Sequence, residues 1–280
     1  MPWRGRSRPT ATKDVPAAAR NRLEEVSALK LRIKFSKKEY MKFIGHLDLM
    51  RFFQKAIRRA DIDIAYSTGY SPHQVMSFAA PLGVGLTSDG EYLDIEVNSA
   101  DSSEAMKRRL NAALLTHGIE VVSVRRIPDP GFDAQGNALK DRSAMAMVAG
   151  ADYDLVFKEG HEPKDWDGFC DAFDAFCALE QITVLKATKK SSLTADIRPM
   201  IKSCRLDRKS RVITMSLSTG SSANLKPELV MEAFYKGIGS DWDPAVESYQ
   251  YSMQINRRET YALGENGEWI ALEALGEVIE

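Results

Sequence analysis

Residues 29–60 read LKLRIKFSKKEYMKFIGHLDLMRFFQKAIRRA, and the change of period inside this stretch sets the fold class. Leu31, Ile33 and Phe35 alternate with Arg32, Lys34 and Ser36, the two-residue period of a strand buried on one face. Lys37-Lys-Glu39 breaks the alternation. From Gly45-His-Leu-Asp48 the period lengthens, and Leu49, Phe53, Ile57 and Ala60 fall on one face of a helix running to about Ala60. Arg51, Lys55, Arg58 and Arg59 fall on another face.

Working outward, Ile62–Tyr66 reads as the next strand and Ser67–Ser71 as a glycine-bearing turn with Pro72 at its exit. Val75–Leu86 reads as a short strand and a loop. Leu93, Ile95 and Val97 against Tyr92, Asp94 and Glu96 make a strand with one apolar face. Asp101 with Glu104 predicts the start of a helix that Gly118 ends, and Ile119–Ile127 is a further strand. The order is β-α-β-β-α-β.

After the turn-rich stretch Pro128–Gly136 the pattern restarts. Asp152–Lys158 reads as a strand, and Trp166, Phe169, Cys170, Phe173, Phe176 and Cys177 form a helical apolar stripe. Ile182–Ala187 is a strand, and Ile197–Leu206 with Arg211–Ser218 is a hairpin about Asp207-Arg-Lys-Ser210. Pro227 suits the first turn of a helix closed by Gly239. Tyr249–Ile255 is a strand, and Glu265-Asn-Gly267 turns a hairpin between Thr260–Leu263 and Trp269–Leu272. The expected architecture is α+β: two tandem ferredoxin-like (split βαβ) units, residues 29–130 and 150–280, the second with a C-terminal hairpin, behind a disordered basic tail, residues 1–28.

Composition agrees with a globular protein: 280 residues, 44% hydrophobic and 28% charged. No apolar run approaches the length of a membrane span, and the N-terminus lacks the apolar stretch of a secretory signal. Three cysteines suggest a reducing compartment, so a cytoplasmic protein without membrane contact is expected. The net charge of −1 conceals an asymmetry. Residues 1–60 hold 16 Lys and Arg against 5 Asp and Glu, while the remainder is acidic apart from an island at Lys186–Arg211. Charge segregated in this way points to a polyanionic partner.

The sequence carries no P-loop, dinucleotide-binding glycine motif or Gly-x-Ser-x-Gly elbow. Cys170 and Cys177 have neither zinc-knuckle nor iron–sulfur spacing, so no metal or cofactor is expected. What remains is suited to anions. Gly45, His46, Asp48 and Arg51 sit at a helix start, with Lys55, Arg58 and Arg59 extending the cationic face. Ser67, Tyr70 and His73 offer hydroxyls and a stackable ring. Lys189, Lys190, Arg198 and Arg205 offer a second cationic surface. His46 is the one candidate acid–base catalyst, with a capping motif as the plainer reading of the same residues.

Several stretches together resemble one family. They are Leu31-Arg-Ile-Lys-Phe35, Met41–Arg51, Arg58-Arg-Ala60, Ser67-Thr-Gly-Tyr-Ser-Pro-His73, Ala80-Pro-Leu-Gly-Val-Gly85 with Glu91-Tyr-Leu-Asp94, Asp196-Ile-Arg-Pro199 and Asn224-Leu-Lys-Pro-Glu228. The family is the bacterial radical-SAM-associated domain of unknown function, and the resemblance covers about residues 29–260. The chain departs from its pattern at Gln74, where a second proline is common. The resemblance implies an accessory protein acting in trans with a radical-SAM enzyme, of the kind that also binds cobalamin, in RNA or ribosome maturation. The chain has no Cys-x-x-x-Cys-x-x-Cys loop, so the radical chemistry would belong to the partner. The expected function is therefore non-catalytic binding of RNA or an RNA-containing substrate. The alternatives are a stand-alone, metal-independent RNA-processing enzyme and a protein-binding adaptor.

Overall fold

The computed structural model describes residues 28–128, 143–187, 192–221, 223–238 and 252–280. The expected N-terminal tail, Lys189 and Lys190, the helix stop at Gly239 and most of the break at 128–136 lie outside these residues.

The alternating stretch that opens the order forms β1 (Leu29–Lys37). A 3₁₀ turn at Glu39–Phe43 leads into α1 (His46–Arg59), followed by β2 (Met76–Phe78), β3 (Thr87–Val97), α2 (Ser103–Leu114) and β4 (Ile119–Arg126). The second series begins with a one-turn helix, α3 (Ala144–Met147), then β5 (Val148–Phe157) and α4 (Trp166–Cys177). It continues through β6 (Thr183–Ala187), β7 (Ser192–Asp196), β8 (Ile201–Asp207), β9 (Val212–Ser218), α5 (Pro227–Gly237), β10 (Met253–Leu263) and β11 (Trp269–Ala271).

The result is a mixed α+β structure with five helices among the described residues and one large mixed sheet, ordered β4-β1-β3-β10-β5-β9-β8. β2 adds to β3, and β11 adds to β10. Neighbours along this order are antiparallel except β3 and β10, which run parallel and share only two residue pairs, Thr87↔Asn256 and Ser88↔Arg257. That short junction is where the two halves of the sheet meet.

Each half has its own core. In the first, Leu31, Ile33 and Phe35 pack with Leu93 and Ile95 against Leu49, Phe53 and Ile57 of α1 and Met106 and Leu110 of α2. In the second, Phe169, Phe173 and Phe176 of α4 surround Phe234 of α5, with ring centroids 5.1 to 5.4 Å apart and edge-on geometry.

Three local expectations are corrected. Ile62–Tyr66 makes only isolated bridges, Ile64↔Val97 and Tyr66↔Gln74, rather than a strand of the sheet. Residues 183–187 pair with β7 in a separate two-stranded ladder. The α2 cap is Ser102, whose side chain accepts from the Ala105 amide, while Asp101 ion-pairs with Arg109.

The largest departure concerns the polar face of β1 and β3. Alternation predicts that Arg32, Lys34, Tyr92 and Asp94 face water; instead, the C-terminal segment and α3 cover them. Arg32 is 1% exposed and forms a two-pronged ion pair with Asp94, Nε–Oδ1 2.8 Å and Nη2–Oδ2 2.9 Å. Its Nη1 donates to the Leu272 carbonyl, and Asp94 also accepts from the Ala144 amide. Lys34 reaches Glu259 at 2.6 Å and Glu273 at 2.7 Å. Burial opposes the Lys34 charge, but the two glutamates outweigh it and raise its pKa. Burial works against the Glu273 carboxylate as well, and hydrogen bonds from Lys34 and Ser123 overcome it, so its pKa is lowered. These residues alternate like a solvated face because a paired, hydrogen-bonded charge can be buried where an isolated one cannot.

Candidate nucleic-acid interface

Gly45 takes an extended conformation (φ −73°, ψ 164°) and supplies the N-cap of α1 without a side-chain cap. Leu49, Phe53, Ala56 and Ile57 are buried, so Arg51, Lys55, Arg58 and Arg59 are carried to the outer face. Asp48 does not cap the helix; its carboxylate accepts from Arg51 at 3.1 Å in an open i,i+3 pair. Such exposed pairs contribute about 0–1 kcal/mol, so Arg51 can exchange Asp48 for another anion.

Arg59 is committed to the fold. Its Nε and Nη2 both donate to the Ala113 carbonyl, at 2.9 and 2.7 Å, which fastens α1 to the last turn of α2. Arg58 is exposed and donates from Nε to the Gln54 carbonyl at 3.3 Å. Lys55 has no ion-pair partner among the described residues. Arg51, Lys55 and Arg58 thus form a cationic line at i, i+4 and i+7, about 10 Å long at 1.5 Å per residue.

The loop at 67–73 stands beside this line. Its base is closed by the Ser67 amide on the His73 carbonyl (2.8 Å), a Ser67 Oγ–His73 Nδ1 bond (2.8 Å) and the His73 amide on Ser67 Oγ (3.1 Å). Gly69 has φ +113°, a region that a side chain at this position would strain. Ser67 and His73 therefore hold the loop shut, and Tyr70 stands fully exposed beyond the Gly69 turn. The loop is tied to α1 because Gln74 Nε2 donates to the same Gln54 carbonyl that accepts from Arg58, at 3.4 Å.

His46 lies at the helix start with its ring edge-on to Phe78, centroids 5.2 Å apart. Its Nδ1 is buried without a hydrogen-bond partner among the described residues.

The second cationic set is placed elsewhere. Arg198 lies in a 3₁₀ turn and donates to the Leu179 and Ile201 carbonyls at 2.9 and 2.8 Å. Arg205 lies on β8, the far edge strand, separated from β1 by β3, β10, β5 and β9. The structure brings Gly45 to Arg58 together with the 67–73 loop, and it does not bring Arg198 or Arg205 to them.

Sequence reasoning missed Tyr66 and the apolar residues near the start of α1. Tyr66 is half exposed and lines a polar concavity of about 620 Å³ with Arg58 and Arg109. Arg109 is spent on the Ala60 carbonyl and Asp101, and Asp63 is held by Asn98 and Ser99, whose hydrogen bonds pull its pKa down. Phe43, Leu47 and Val84 are exposed, with the Lys42 ammonium 5.3 Å from the Phe43 ring. An apolar residue out of register with the strand and helix periods, as Phe43 is, was the available signal. No cluster of three or more metal-ligating side chains occurs among the described residues, and no described helix is long and apolar enough to cross a membrane.

Residues 30–227 match a protein family described as "Uncharacterized protein conserved in bacteria (DUF2344)". No curated protein matches the chain. Among solved structures, a similar chain is an unknown protein from Galdieria sulphuraria, at 11% identity over 82% of this chain and 98% of that one, with a TM-score of 0.24.

Proposed function

The chain belongs to the DUF2344 family of uncharacterized proteins conserved in bacteria, and on that premise we propose that it is a non-catalytic accessory protein that binds RNA or an RNA-containing substrate. The single observation that carries this reading is the joining of two features on one surface. A line of outward cations, Arg51, Lys55 and Arg58, lies beside a closed loop that presents Tyr70 to solvent. Cations in line contact phosphates, and an exposed phenol ring beside them stacks an unpaired base.

The first half has the strand order β4-β1-β3-β2 and the second β10-β5-β9-β8, each antiparallel and each with one helix after its first strand and one before its last. This supports two split βαβ units, with the β6/β7 hairpin inserted in the second. The radical-SAM enzyme in trans is proposed on the family resemblance alone.

The test is a fluorescence-anisotropy titration of a single-stranded RNA across roughly 50–200 mM salt. Three phosphate contacts predict that affinity falls with a log–log slope of about −2, at roughly −0.7 per contact for a single strand. A flat profile, or no binding at the low-salt end, overturns the RNA reading. Co-purification of the tagged protein with a radical-SAM enzyme tests the partner separately.

A further inference from the structure

We propose that the cavity where the two halves of the sheet meet binds one nucleotide unit, with its base against apolar side chains of the lining and its phosphate at a cationic one. The choice of a nucleotide rests in part on the RNA reading above. The cavity, about 410 Å³, lies within the size range of small-ligand sites and occupies the kind of junction where such sites form.

Its lining combines two kinds of chemistry. Leu82, Leu86 and the half-exposed Met145 supply apolar surface for a flat ring. The same lining holds Lys226 and Asn224, both exposed. Lys226 has no ion-pair partner among the described residues. Asn224 accepts from Thr219 Oγ1 through Oδ1 at 3.1 Å, which leaves its amide nitrogen as a donor. A nucleotide joins a flat, weakly hydrated ring to a phosphate, and those are the two demands this lining makes. Glu228, also on the wall, can accept from an exocyclic amino group.

The wall is built before any ligand arrives. Arg257, 4% exposed, donates to Glu91 through Nε (2.9 Å) and Nη2 (2.6 Å) and to the Ala80 carbonyl through Nη2 (2.5 Å). Burial opposes the Arg257 charge, and Glu91 beside it more than compensates, raising its pKa. One guanidinium therefore clamps the 80–83 loop to β3 and β10, and a pre-formed wall lowers the ordering cost of binding. Stretches far apart in sequence, Ala80–Gly83 and Asn224–Glu228, both line this cavity.

The experiment titrates the isotope-labelled full chain with AMP, GMP, CMP and UMP by NMR, to about 10 mM, a range that captures millimolar dissociation constants. Saturable shifts on residues 80–86 and 224–228 are expected for at least one nucleotide. Leu82→Trp, which fills the apolar part, and Lys226→Ala, which removes the lysine charge, each weaken that binding by at least about tenfold. If the ligand is a free nucleotide, neither changes RNA affinity by more than about twofold, and if it is a base of a bound strand, both weaken RNA binding as well. Lys55→Ala with Arg58→Ala weakens RNA binding and spares the mononucleotide, so a failure of the RNA reading leaves the nucleotide result intact and readable. Displacement of the mononucleotide by RNA identifies a base taken from a bound strand, and its persistence identifies a free nucleotide. The absence of saturable shifts with all four, or shifts that both cavity variants leave unchanged, overturns the proposal.

Discussion

The two basic regions of this chain look alike in sequence and make different contacts in the fold. On α1, Arg51, Lys55 and Arg58 face outward with at most one exposed acidic partner. In the second half, the island around β8 and β9 is largely consumed. Arg198 fastens two carbonyls, Arg208 pairs with Asp171 and Asp174 at 2.7 and 2.8 Å, Lys202 lies 4.3 Å over the Trp269 ring, and Arg211 lies 5.1 Å over Trp166. Arg205 also makes a local bond, to Thr214 Oγ1 at 2.9 Å. A run of cations becomes an interface through donors left over after folding, and composition does not count those.

The comparison can be broken or sharpened by substitutions, ordered here by expected effect. Arg257 is a fully committed cation, buried between the halves. Arg257→Met leaves Glu91 buried and unpaired and is expected to cost about 3–5 kcal/mol, read from the urea midpoint at constant slope. A loss under about 1 kcal/mol would mean that this pair does not secure the seam. Arg198→Met strips two carbonyls of a charged donor and is expected to cost about 2 kcal/mol while leaving RNA affinity unchanged. If it weakens RNA binding without destabilising the fold, the second island is an interface after all. Tyr70→Ala touches no core residue, so stability should hold while RNA affinity drops about fivefold through loss of one stacked base. Its salt slope should stay at the wild-type value, because no phosphate contact is removed.

What the sequence made legible was local. The first strand of the β8/β9 hairpin starts at Ile201 rather than Ile197, because Arg198–Met200 form a 3₁₀ turn, whereas the phenylalanine stripe of α4 appears where its period places it. So does α1, whose buried and charged faces separate cleanly. What stayed hidden depends on partners far along the chain. Arg32 and Lys34 are covered by residues more than 200 positions away, Leu272 and Glu273, and no local pattern reports that. Ile62–Tyr66 has the alternation of a strand, but it meets the sheet only through single bridges. In the candidate interface, the helix and its charges were legible, whereas the division of labour within them was not. Arg59, Ser67 and His73 read as ligand contacts, and the structure also gives them bonds that hold the α1–α2 contact and close the loop.

The central claim is that α1, and not the β8 edge, carries the polyanion. The most direct test measures the salt dependence of RNA binding for Lys55→Ala/Arg58→Ala beside Lys202→Ala/Arg205→Ala. Loss of two phosphate contacts predicts that the α1 pair weakens binding about 25-fold near 0.1 M salt and flattens the log–log slope by about 1.4. The β8 pair should stay within about twofold of wild type with an unchanged slope. Equal losses in the two pairs, or a larger loss in the β8 pair, would contradict the account.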